Sequence, residues 1–113
     1  MSSVKMESWL CESPVLLEKL GTRVLACFEA LLQHLDRDSD LLRDVTRLKT
    51  IYECRFYAAL DYHGFGDMHA HDLCCRRADA LLLAESTRLP APLLQPLRVA
   101  LAQASFCSAL RSQ

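Results

Sequence analysis

Apolar residues recur along most of the chain every three or four positions, the spacing that gathers side chains on one face of an α-helix. The first stretch opens at Ser13-Pro14. A serine can accept an orphaned backbone N–H, and proline is pre-set for the first helical turn. Leu17, Leu20, Val24, Cys27 with Phe28, Leu31 and Leu35 then form a stripe, widened by Leu16, Leu25 and Leu32. The charged run from Asp36 to Asp40 predicts the end of this helix, with Ser39 or Asp40 capping the next. A second stripe, Leu41, Val45, Leu48, Tyr52, Phe56 and Ala59, predicts a helix from about Leu41 to Tyr62. Arg43, Asp44, Arg47, Lys49 and Glu53 occupy its other side.

His63-Gly64-Phe65-Gly66 predicts a turn with a glycine at the helix C-cap. The third helix is expected from an Asp67 cap to about Arg88. Its apolar side reads Ala70, Leu73, Cys74, Ala80, Leu81 and Ala84, with Arg76, Arg77 and Asp79 outward. Leu89-Pro90-Ala91-Pro92 interrupts the pattern, because each proline disfavours helix in the residue before it. The fourth helix is expected from about Leu93 to Leu110, with Pro96 tolerated only inside its first turn. Leu97, Val99, Ala100, Leu101, Ala104, Phe106, Cys107 and Leu110 make it apolar over most of its circumference.

The short linkers predict antiparallel neighbours. The expected fold is all-α: an antiparallel four-helix bundle over residues 13–110. Residues 1–12, carrying the single tryptophan Trp9, form a strap or a short extra N-terminal helix. The chain is read as a single helical domain, 1–113, a length at which a packed core needs no staples.

Composition supports helices over strands. Leucine occurs 22 times and alanine 13 times, against six valines and isoleucines together, and the chain has no asparagine. Unbranched residues keep rotamer freedom in a helix, whereas β-branched ones favour strands. Thirteen basic residues against 14 acidic give a net charge of −1, so the basic surplus of a nucleic-acid binder is missing. The longest apolar runs, Ala80 to Ala84 among them, are far too short to span a bilayer.

The six cysteines, at 11, 27, 54, 74, 75 and 107, are expected to be reduced thiols that pack as small apolar residues. The opening residues Met1 to Glu7 lack a signal-peptide apolar run, and neither end carries a lipidation motif. The expected compartment is intracellular, cytoplasmic or nuclear.

One window concentrates chemistry. Between His63 and Cys75 lie three of the four histidines and two of the cysteines. Imidazole and thiolate are both zinc ligands, and His71 shares a helical face with Cys75 at four residues or Cys74 at three. His69, His71, Cys74 and Cys75 are therefore candidate metal ligands of a small zinc-binding helical module. Structural zinc sites normally use two separated ligand pairs, and no second pair is evident here. Cys74 or Cys75 beside His71 also raises a nucleophilic thiol. A phosphate loop, a nucleophile elbow and a His-Glu-x-x-His pair are all absent. No cofactor or small-molecule substrate is expected.

The first and fourth stripes are wider than a bundle of this size should need, and surplus apolar surface usually marks an interface. The leading expectation is a non-catalytic helical adaptor or complex subunit, not an enzyme. It would bind a protein partner or a second copy through Leu16, Leu20, Phe28, Leu32, Leu97, Leu101 and Phe106.

Overall fold

The computed structural model describes residues 14–112. The expected Ser13 cap and the Trp9 strap lie outside them. The fold is an all-α bundle of four helices: α1 (Pro14–Leu32), α2 (Asp40–Tyr62), α3 (Phe65–Ala84) and α4 (Ala91–Arg111).

α1 ends three residues sooner than its apolar stripe. Gln33, His34 and Leu35 instead form a turn whose N–H groups reach back to Glu29, Leu31 and Leu32. Ser39 caps α2 by accepting the Leu42 N–H at 3.0 Å, and its hydroxyl donates to the Asp36 carbonyl at 2.8 Å. At the α2–α3 turn the left-handed residue is His63 (φ 54°), not a glycine. Gly64 has an extended backbone and opens α3. Histidine tolerates the left-handed region better than most residues, and His63 is exposed.

α3 starts before Asp67, which sits in its first turn, where a carboxylate offsets the positive helix end. The helix stops at Ala84, and a 3-10 turn, Ser86–Arg88, leads to Pro90, the N-cap of α4. Because α4 begins at Ala91, Pro96 lies in its second turn rather than its first. An N–H at that position would bond the Pro92 carbonyl, four residues back.

Helices adjacent in sequence are adjacent in space, and α4 returns to pack against α1. The pairings show antiparallel directions. Gly21 faces Phe56 while Glu29 reaches Lys49, farther back along α2. His71 pairs with Ser108, Asp72 with Ser105 and Asp79 with Arg98.

The α1 stripe is buried at Leu17, Val24, Phe28 and Leu31, and the α2 stripe at Leu41, Val45, Tyr52, Phe56 and Ala59. α3 departs from its expected face. It buries Met68, His71, Asp72, Cys75, Ala78 and Leu82, so the inward face is turned by about one residue. A buried polar side chain is tolerable when hydrogen-bonded, and α2 and α4 supply the partners. In α4 the wide apolar surface is largely used up by packing against two neighbours, burying Leu94, Leu97, Ala100, Leu101, Ala104 and Cys107.

Candidate docking groove and buried polar cluster

The chemistry-bearing window divides between interior and surface. His71 is fully buried at the centre of the bundle. Its Nε2 lies 2.9 Å from the Tyr52 hydroxyl of α2, and its Nδ1 is hydrogen-bonded to Ser108 Oγ of α4. Burial lowers the imidazole pKa from 6.5 to about 4, opposed by the neighbouring Asp72 carboxylate. The ring is therefore neutral at pH 7. Burial pushes the Tyr52 phenol up, so it stays protonated. The neutral ring donates through one nitrogen and accepts through the other, with a hydroxyl partner at each. Tyr52 and Phe56 stack, with centroids 5.8 Å apart, and both rings flank the imidazole.

Cys75 Sγ is 3.9 Å from His71 Nε2. That contact has the partners of a nucleophilic pair but not the setting. Burial raises the thiol pKa, and the Cys74 and Asp72 charges add to the effect. A thiol held protonated in a core is inert. Asp72, also buried, accepts from Ser105 Oγ and is paired with Arg76 at 2.9 Å. This satisfied network is the polar half of the α3 inward face.

The four candidate zinc ligands do not converge. His69 is exposed, His71 and Cys75 are buried, and Cys74 is half-buried on the α2 side. Among the described residues, no three His, Cys, Asp or Glu side chains could hold a metal ion together. Cys27, Cys54, Cys74 and Cys75 are all thiols.

The seven expected partner-binding residues are dispersed as well. Phe28, Leu97 and Leu101 are fully buried and belong to the core, because α4 is enclosed by α1 and α3. Leu20 and Leu32 are half-buried against that core. Leu16 is half-buried, and Phe106 is 52% exposed beside a shallow α3–α4 depression. They do not form one face.

Two of the exposed large apolar side chains, Ile51 and Leu81, stand together in a groove between α2 and α3. A depression of about 300 Å³ is walled by Leu48, Ile51 and Arg55 of α2 and by Ala70, Leu73, Cys74, Arg77, Ala78 and Leu81 of α3. A second, of about 230 Å³, shares Leu48 and Leu81 and extends it past Arg47 and Asp44 to Glu85. Ile51 is 46% exposed and Leu81 53%. Arg55 and Arg77 stand close enough to Cys74 to oppose the upward push of burial on its thiol.

Much of this groove is apolar in sequence: Ala70, Leu73, Cys74 and Leu81 are the expected apolar side of the third helix, and they wall the groove rather than the core. The missed signal is a pair of interleaved stripes at four-residue spacing, Arg47-Ile51-Arg55 on α2 and Leu73-Arg77-Leu81 on α3. No protein-family model matches the chain, and no curated protein or solved structure matches it. Among the described residues, no helix is long and apolar enough to cross a membrane.

Proposed function

We propose that the chain is a non-catalytic helical adaptor or complex subunit that docks a protein partner in the α2–α3 groove. The observation that carries this reading is apolar side chains left open between two otherwise packed helices. Ile51 and Leu81 stand about half exposed over a floor of Leu48, Leu73 and Ala78. Grooves of this form are the usual seats of amphipathic helices. The thiol beside His71, Cys75, is buried and held protonated, so it is not poised as a nucleophile.

The test is the mass of the native particle in cell extract, measured for the full chain and for Ile51→Glu and Leu81→Glu. Both residues are exposed enough to take a charge without disturbing the core. The expected result is a particle heavier than one chain that falls to the mass of one chain in both variants, with thermal unfolding unchanged. A wild-type particle of single-chain mass, or a heavier one indifferent to both substitutions, would overturn the assignment.

A further inference from the structure

Deepening the docking reading, and resting on it, the charges around the groove specify the chemistry of its occupant. We propose that the α2–α3 groove receives an acidic amphipathic helix. Its apolar ridge sits on Ile51, Leu73 and Leu81, and its flanking carboxylates pair with Arg47, Arg55 and Arg77.

Length comes first. The α2 wall runs from Leu41 to Arg55 and the α3 wall from Ala70 to the C-cap residue Glu85. At a rise of about 1.5 Å per residue, these walls are roughly 21–22 Å long. That is three to four helical turns, enough for apolar anchors at positions i, i+4, i+7 and i+11.

Charge decides the rest. Arg43, Arg76, Arg88 and Arg98 are each paired with a carboxylate. The three groove arginines have none among the described residues. Two of them, Arg55 of α2 and Arg77 of α3, line the same depression, and both lie near Cys74. The far end is mixed: Asp44 lies beside Arg47, and Glu85 is already engaged by Arg88. The acidic positions of the occupant therefore weigh toward the Arg55–Arg77 end. A second copy fits poorly. A symmetric pair would set groove against groove, bringing the same unpaired arginines together.

Two labelled peptides of about fifteen residues test this against the full chain by fluorescence anisotropy. Both carry leucines at i, i+4, i+7 and i+11; one has glutamates on its flanks, the other lysines. The glutamate peptide is expected to bind at least about tenfold more tightly, the scale of two or three half-exposed ion pairs. Its advantage should shrink as salt rises from about 50 to 300 mM. The double variant R55E/R77E should reverse the preference; should it fail to fold, the salt dependence of the unaltered chain stands as an independent arm.

Equal affinities, tighter binding of the lysine peptide, or no binding of either would overturn the acidic-helix assignment. So would a concentration-dependent dimer that R55E/R77E dissolves, since the occupant would then be a second copy. If neither peptide binds while Ile51→Glu still reduces the native particle to one chain, the occupant is of different chemistry and the docking reading stands. If the particle ignores the groove substitutions, both fall.

Discussion

His71 is buried and hydrogen-bonded to two other helices. It joins α2 to α4 through α3, with Tyr52 on one ring nitrogen and Ser108 on the other. Burial holds its pKa near 4, against 6.5 in an unfolded chain. Between those values the unfolded state binds the extra proton, so stability falls with falling pH. The contribution is complete above about pH 6.5, declines through the interval and is exhausted below about pH 4. A shift of this size corresponds to roughly 3 kcal/mol between the two limits. The polar groups around the ring are Tyr52, Asp72, Cys75 and Ser108, and of these only Asp72 opposes the effect. Denaturant midpoints from pH 7 down to pH 4 should therefore fall in the unaltered chain. In His71→Gln they should start lower and lose most of that slope; an unchanged slope would show that another group titrates.

Between elements, local capping and proline chemistry explain where helices begin and stop. Ser39 was legible as a cap because its hydroxyl lies three residues before the Leu42 N–H it satisfies. The left-handed residue His63 was not legible, since nothing local made histidine preferable to the glycine beside it. Pro96 is the costliest residue for its own helix. It lies in the second turn of α4, exposed, where it withholds an N–H from the Pro92 carbonyl. Pro96→Ala should restore that bond and stabilise the protein by about 1–3 kcal/mol. A higher thermal midpoint is the expected readout. A lower one would mean that the ring makes a tertiary contact worth more than the bond.

At the scale of the whole molecule, the approach of α1 to α2 is set by the absence of a side chain. A Cβ built on Gly21 would come within 2.0 Å of the Phe56 ring. Phe56 cannot move aside easily, being packed among Tyr52, Tyr57 and His71. Gly21→Ala should therefore destabilise the bundle by about 1–3 kcal/mol, even though alanine favours helix over glycine. Chemical unfolding would measure the loss, and the variant Gly21→Ala/Phe56→Leu should recover part of it. Polar ties complement this packing, with Arg98 bridging to Asp79 across α3–α4 at 2.7 Å and Lys49 reaching Glu29 across α1–α2 while pairing with Glu53 on its own helix.

The chain's own pattern determined that the described residues form four helices, roughly where each lies, and which faces of α1 and α2 turn inward. These follow from spacing, and spacing is local. Which face of α3 is buried was decided by tertiary structure alone. His71 and Asp72 are polar, and in isolation they belong at the surface; they go inside because Tyr52, Ser105 and Ser108 arrive from other helices to satisfy them. That choice turns Leu73, Cys74 and Leu81 outward, beside Ile51 and its flanking arginines. The groove is therefore the surface consequence of a polar network in the core, a coupling between helices that no single stretch of sequence contains.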